Sequence, residues 1–405
     1  MLIQKSHKIQ LLPNNAQKAR LVEWAGAHRF AYNFGLERKK AEYEATDKSP
    51  GAYALAVEIT AMKHSTHPWL AGVPKSVPRL ALQQLDVAYS NFFRRVKNGA
   101  TKPGFPRFKS RKRDHLVFHL ETDTIALDGN KVRIPKLGWI RMCQPLRFGG
   151  RLVGSIAISE QVDKWSASFS VEVEAPNSSE RQVREVGIDL GVKTLATTSD
   201  GREFRNPRHG KQLEDLLSRA QRQLARKKPG SRRRQKAKLR VQRIHKRITD
   251  RRTDAIHQAT ARISGKYNVV YLEDLNVSGM MQNHHLARAV VDTSMREFRR
   301  QVEYKERWRG GAVGFVDRWF PSSKLCSVCG CINDTLALAD REWTCDCGVH
   351  HLRDVNAAIN ILNAGRLAGA ARGGLAERTQ PMKRERSDVN QTTMGEKGTL
   401  LVLAI

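Results

Sequence analysis

The sequence predicts an α+β multidomain chain: a β-rich, barrel-like N-terminal module with a helical insertion, then an α/β domain with a small cysteine module inserted into it. Three observations lead there. Two-residue alternation opens the chain and returns across residues 115–180, while three- and four-residue apolar spacing fills much of the segment between. Short apolar strands at 186–198 and 269–275 alternate with helical stretches. Five of the six cysteines fall between Cys326 and Cys347.

Taken in order, the alternation Ile3, Lys5, His7, Ile9, Leu11 reads as a strand stopped by Pro13. Asn14 to Asp47 turns helical, with Leu21, Trp24, Phe30, Tyr32, Phe34 and Leu36 as core positions. A second helix is expected over Arg79–Lys97, where Leu82, Leu85, Ala88, Tyr89, Phe92 and Phe93 form one buried stripe, a core feature rather than a stacking platform. Lys102–Arg113 mixes Gly and Pro with basic and aromatic residues, so it should be exposed and irregular. There Arg107, Lys109, Arg111 and Lys112 can reach phosphates, and Phe105 or Phe108 can stack on a base or anchor the loop. Strands are expected at Thr124–Leu127, Val132–Pro135, Gly154–Ser159 and Ala167–Val173, closing with the first strand into a barrel.

From Val183 the pattern changes. Val186–Thr198 reads as a strand and its hairpin partner, and Leu213–Ile263 as a long helical hairpin turning at Lys228-Pro229-Gly230-Ser231. Val269–Leu275 is a strand, Met295–Trp308 a helix, Ala312–Phe320 a strand and Asp354–Asn363 a helix of small residues. The remainder, 365–405, is rich in Gly, Ala, Arg and Ser and reads as disordered apart from the apolar Leu400–Ile405.

Charge narrows the function. Lys and Arg number 71 against 40 Asp and Glu, a formal net charge of +31. Such a surface gains free energy by displacing the counterions condensed on a polyanion, which favours a nucleic-acid partner. A 40% hydrophobic content argues for a folded binder over a basic tail protein. Between Arg208 and Arg252 eighteen Lys and Arg face only Glu214, Asp215 and Asp250, so the hairpin, with Arg243, Lys246 and Arg247, reads as a nucleic-acid cradle. Lys5 and Lys8 interrupt any signal-peptide core, and no run of about eighteen apolar residues occurs, so a soluble, cytoplasmic, non-membrane protein is expected.

Two groups of residues carry chemistry. Asp189, within Gly187-Ile188-Asp189-Leu190-Gly191, and Glu273, at the end of VVYLE, are carboxylates in apolar strands. Burial there is costly unless a cation or donors compensate. Asp274 points to the opposite face by the two-residue period, so only one of that pair can join a shared site. Asp354 opens a helix, where an acid serves equally well as a cap. Together Asp189, Glu273 and Asp354 suggest a divided cluster for divalent metal, two Mg²⁺ ions about 4 Å apart, in the ribonuclease H-like order of strand Asp, strand-end Glu and helix Asp. Cys326-x-x-Cys329 and Cys345-x-Cys347, with 15 residues between, have the spacing of a structural Zn²⁺ ribbon. The second pair is one residue short, which leaves Cys331, His350 or His351 open as substitutes.

GIDLGVKTLAT (187–197), YLEDLNV (271–277), FPSSKLCSVCG (320–330) and RDVNAAINI (353–361) resemble the RuvC and zinc-ribbon segments of the transposon-encoded TnpB family. GFPRFKSR (104–111) and IPKLGW (134–139) resemble that family too, from Met1 to about Asn363. The resemblance implies an RNA-guided DNA endonuclease with a guide RNA from the transposon end, double-stranded target DNA and a transposase from the same element as partners. It implies a wedge module at 1–12 and 114–182, a helical recognition module at 13–113, a RuvC (ribonuclease H-like) domain at 183–319 and 348–364, and a zinc ribbon at 320–347. Asp189, Glu273 and Asp354 then occupy catalytic positions, and Cys326, Cys329, Cys345 and Cys347 zinc positions. Lys75 and Arg79 would help read a short adjacent DNA motif. Leu352 stands where the family often has an acid. A compact type V CRISPR effector, a guided repressor that does not cut, and a strand-joining transposase are the alternatives.

Overall fold

The computed structural model describes residues 2–176, 182–337 and 339–370. It divides into two compact units, Met1–Ser179 with Pro207–Ala255, and Glu180–Asn206 with Ile256–Ile405.

The first unit opens on strand β1 (Leu2–Leu12), followed by helices α1 (Asn15–Thr46), α2 (Ala52–His64) and α3 (Ser76–Lys97). Strands β2 (Val117–Glu121), β3 (Ala126–Asp128), β4 (Lys131–Ile134), β5 (Gly138–Met142), β6 (Arg151–Leu152), β7 (Ser155–Gln161) and β8 (Lys164–Glu174) follow. Helix α1 starts in a reciprocal cap: the Asn14 side chain accepts from Gln17 N, and Gln17 Oε1 accepts from Asn14 N. The strand order is β2-β7-β8-β1-β5-β4-β3, with β6 beside β8. Strand β1 spans two partners, lying along β8 from Leu2 to Gln10 and along β5 at Leu11 and Leu12. Among the described residues no ladder joins β2 to β3, so the path is open rather than ringed. It is nevertheless curled, because inward residues from both halves (Phe118, Ile158 and Phe169; Val132, Ile140 and Met142) fill one core with Leu21 and Trp24 of α1 and Leu82 and Leu85 of α3.

Several expectations shift. Helix α2 and strands β2 and β5 were not anticipated, and Thr124, expected to open a strand, ends a 3-10 turn (Thr122–Thr124), with β3 starting at Ala126. β5 begins at Gly138 with φ +76°, a conformation that breaks the alternation by which strands are recognised. The stripe on α3 is buried only as far as Leu85: Phe93 is 51% exposed. Tyr89, at the edge of the main core, starts a separate aromatic group with Phe92, Phe93 and Phe105 at ring separations of 5.2–6.3 Å. Helices α4 (His209–Gln212), α5 (Glu214–Ala225) and the first part of α6 (Arg232–Lys266) also belong to the first unit, although the sequence reading drew 183–319 together. The α5–α6 hairpin has a small core of its own, Ala220, Val241, Ile244 and Ile248, backed by Leu216, Leu217 and Leu224.

The second unit contains β9 (Glu185–Asp189), β10 (Thr194–Thr198), β11 (Glu203–Arg205), β12 (Val269–Glu273), helices α7 (Val277–Met280), α8 (His284–Thr293) and α9 (Met295–Arg309), then β13 (Ala312–Val316), β14 (Glu342–Thr344), β15 (His350–Leu352) and α10 (Arg353–Ala370). Its five-stranded sheet runs β11-β10-β9-β12-β13. β10 is antiparallel to both of its neighbours, whereas β9, β12 and β13 are parallel. One face buries Val186, Ile188, Val270 and Leu272 against Ile256 and Ile263 of α6 and Phe298 and Val302 of α9. The other face takes α10. Helix α10 continues through Gly365 to Ala370, beyond the boundary expected from the sequence, while 371–405, with Leu400–Ile405, lie outside the described residues.

The seating of α10 depends on glycine. A Cβ on Gly187 would collide with the Ala358 carbonyl oxygen and lie 2.5 Å from Leu362 N, and one on Gly365 would collide with the Tyr271 ring. Overpacking against backbone has no easy relief and costs about 1–3 kcal/mol or more. Gly187→Ala should therefore lower Tm by roughly 5 °C, while Gly149→Ala, where a Cβ meets nothing within 4 Å, leaves it nearly unchanged; calorimetry on both variants checks this.

Candidate active site and metal centre

The register of the parallel strands sets the first two acids. Ile188 lies opposite Leu272, so the next residues, Asp189 and Glu273, finish neighbouring strands side by side. Asp189 is two residues beyond Gly187 and Glu273 two beyond Tyr271, and both of those touch or face α10. By the strand period, Asp189 and Glu273 share that face. Asp354 lies in the first turn of α10. Burial pushes Asp189 up to about 7, and the charges of Glu273 and Asp354 push it in the same direction. Burial also raises Glu273, opposed by a hydrogen bond that Ser322 Oγ donates to Glu273 Oε1. Arg341 lies 3.5 Å from Asp354 Oδ1 and, with Arg353, partly offsets the repulsion at Asp189.

Asp274 goes the other way. Its oxygens accept from Arg299 on α9 at 2.7 Å and from Arg318 at 2.6 Å, and these two bonds hold it below the usual carboxylate range. The structure thus separates a neutralised acid, Asp274, from Asp189, whose ionisation is disfavoured by burial and by the charges of Glu273 and Asp354. That donor set, hard oxygens with excess negative charge, fits divalent cations that prefer carboxylates. Ser322 was not anticipated as a partner of the site; its only sequence signal is its place in FPSS, next to the first cysteine pair.

The four cysteines converge. The Sγ atoms of Cys326, Cys329, Cys345 and Cys347 all lie within 4.8 Å of one another. Cys326–Cys347 and Cys329–Cys345 stand at 3.8 and 3.5 Å, far beyond a disulfide bond and suited to four thiolates around one soft cation. The shortened pair therefore supplies both of its sulfurs. Cys331 contributes its backbone, accepting from Cys326 N, and its side chain is exposed. His351 Nε2 lies 3.0 Å from Cys326 Sγ, and His350 faces Thr344 and Glu342. The hydrogen bond from Cys331 N–H and the neighbouring thiols lower Cys329 to about 6, while Cys345 and Cys347 are raised in the same cluster.

The cationic candidates differ among themselves. Lys75, Arg111 and Arg247 are exposed. Arg79 is ion-paired with Glu121, Arg107 with Asp114 at 3.6 Å, Arg243 with Asp163 at 2.5 Å and Lys246 with Asp250 at 2.9 Å. The Arg243–Asp163 pair is exposed on both sides and contributes about 0–1 kcal/mol, so a phosphate can replace its carboxylate at little cost, whereas Glu121 is only 14% exposed and depends on Arg79. Lys109 departs from its expectation. Its ammonium is half-buried 3.9 Å above the Tyr32 ring, and its backbone is held by Asn33, so it braces the loop to α1.

Comparison with known proteins extends these observations. Residues 168–284 match a family model described as "Probable transposase", and 296–361 match "Cas12f1-like, TNB domain". Residues 1–48 match a "Helix-turn-helix domain" model, although here they form a strand and one long helix. The chain is 34% identical over 393 residues to "Putative RNA-guided DNA endonuclease" of Streptomyces pristinaespiralis, covering 96% of each. It is 32% identical over 406 residues to the similarly named InsQ of Escherichia coli K12, covering 96% of this chain and 99% of that one. A cryo-EM structure of a Cas12f1-sgRNA-target DNA complex shares the fold at TM-score 0.54 and 14% identity, over 89% of this chain and 99% of that one. No described helix is long and apolar enough to cross a membrane. With full-length relatives at this identity, the motifs at 187–197, 271–277, 320–330 and 353–361 have their explanation: this chain belongs to the TnpB family.

Proposed function

We propose that this chain is a transposon-borne RNA-guided DNA endonuclease that cuts through one divalent-metal site built from Asp189, Glu273 and Asp354. The observation that carries this reading is the convergence of three acids at one end of a sheet, two from adjacent parallel strands and one from the helix across them. The strand order β11-β10-β9-β12-β13, with only β10 antiparallel to its neighbours, supports a ribonuclease H-like (RuvC) domain. Mg²⁺ bound by these carboxylates would acidify a water and stabilise the leaving oxygen of a phosphodiester. The chain's own residues prepare that chemistry: Ser322 fixes one oxygen of Glu273, and Arg341 partly neutralises the site from beside Asp354. Cys326, Cys329, Cys345 and Cys347 would hold one Zn²⁺ with no position left open for substrate.

The net charge of +31 supports RNA and DNA as partners, with the α5–α6 hairpin, Arg107 and Arg111 contacting phosphates. Lys75 and Arg79, at the start of α3, are proposed to help read the adjacent motif. A transposase of the same element remains part of this proposal. The transposon-borne reading is favoured over a compact type V effector because relatives spanning the whole chain at 32–34% identity carry the endonuclease name, whereas the Cas12f1 likeness is one of fold.

Three outcomes test the proposal. Asp189→Ala should reduce guided cleavage roughly a hundredfold or more, the loss expected when several kcal/mol of metal stabilisation disappear, with guided binding in a gel shift retained; equal loss of binding would make Asp189 structural. Metal analysis of the purified protein should find about one zinc per chain, released together with the fold of 320–352 by a strong chelator; finding no zinc removes the cysteine site. Sequencing the RNA that co-purifies should return one defined species from the protein's own locus, and a heterogeneous population would count against guidance.

A further inference from the structure

Ser322, His351, Asn356 and Asn360 are polar, yet all are buried where α10 meets the chain entering the cysteine cluster. Polar groups are retained in such a place only when their partners are built in. Asn356 Oδ1 accepts from Ser327 N at 3.0 Å, and its Nδ2 donates to Leu325 O at 2.7 Å. Asn360 Nδ2 donates to Leu325 O at 2.6 Å and to Ser322 O at 2.8 Å. Four residues apart, the two amides share one face of α10 and grip the backbone on both sides of Cys326. His351 adds a contact to the Cys326 sulfur, three residues before Asp354. Ser322, whose carbonyl Asn360 holds, gives its hydroxyl to Glu273.

Two routes therefore lead from Cys326 to the carboxylates. One runs through Asn356 and Asn360 into the helix that carries Asp354. The other runs through Asn360 and Ser322 to Glu273. We propose that Ser322 and Asn360 are positioning residues through which the cysteine cluster sets the geometry of the Asp189–Glu273–Asp354 metal site. A module that only stabilised the fold could rest on α10 through apolar side chains, with no need for two buried amides or for a hydroxyl on a carboxylate. Because a fully satisfied buried network has a single low-energy arrangement, it transmits position rather than mere cohesion. The inference rests on the reading of the three acids as a divalent-metal site.

The test uses the full chain loaded with zinc, and Mn²⁺ as the probe. Binding of Mn²⁺ is followed by electron paramagnetic resonance in the parent, Asp189→Ala, Ser322→Ala, Ser322→Thr and Asn360→Leu. Zinc content, guided DNA binding and the Mn²⁺ concentration for half-maximal cleavage are measured alongside. We expect Ser322→Ala and Asn360→Leu to weaken the Asp189-dependent Mn²⁺ site about tenfold, to raise the half-maximal Mn²⁺ concentration to match, and to retain one zinc and guided binding. Ser322→Thr, which keeps the hydroxyl, should restore both values. Parent-like Mn²⁺ affinity in Ser322→Ala and Asn360→Leu would overturn the coupling alone. Loss of zinc and guided binding together with Mn²⁺ affinity, without rescue by Thr, would overturn it as well, by making these residues merely structural. A parent with no Asp189-dependent Mn²⁺ site would overturn the coupling and the metal-site reading together.

Discussion

Helix α10 and strand β9 approach so closely that the backbone of one occupies the space a side chain would take on the other, at Gly187. This single close approach organises the second unit. It lays α10 across the sheet face that Asp189 and Glu273 share, and so brings Asp354 within electrostatic reach of Asp189. It also holds Asn356 and Asn360 against the cysteine-bearing segment. Widening the gap by one methyl group would move the third acid and the cysteine cluster together.

The electrostatic consequence is a site that is unfavourable by itself. Asp189 is largely withdrawn from water beside Glu273 and Asp354, and Arg353 and Arg341 offset the repulsion there only in part. Asp274, next to Glu273 in the chain, shows what a structurally satisfied acid looks like here, with a guanidinium on each oxygen. The neighbours differ in their partners: Asp274 is neutralised by two guanidinium groups, whereas Glu273 accepts only from a neutral hydroxyl, and such a contrast is what the proposed cation site uses. The same contrast holds among the basic residues. Arg243 is held in an exposed pair that a phosphate can replace, whereas Arg79 is paired with a largely buried Glu121 and the Lys109 ammonium sits over the Tyr32 ring.

Much of this was legible from periodicity. The bounds of β1, α1 and the α5–α6 hairpin, the existence of β9 and the start of β12 follow from apolar spacing and from Pro and Gly stops, because those elements bury a regular face. β5 was harder although it is as long as β9 and β12, because a glycine at positive φ interrupts the pattern at Gly138. Phe93 misled for a related reason. Helical spacing shows that residues share a face, not how far the neighbouring core extends along it, and here the core ends near Leu85 while the helix continues.

By itself the sequence determined the inventory: acids set in apolar strands, two cysteine pairs at ribbon spacing, a hairpin with eighteen basic residues, and motifs specific enough to indicate a family. Those properties are local, and local chemistry is what a sequence displays. Only the tertiary structure puts Glu273 beside Asp189 and Asp274 against Arg299 and Arg318, brings Asp354 within electrostatic reach of Asp189, and draws the sulfurs of both cysteine pairs within 4.8 Å of one another. It alone brought in Ser322, forty-nine residues from the carboxylate it binds. Each of these depends on segments far apart in the chain being packed against one another, which spacing along the sequence does not encode.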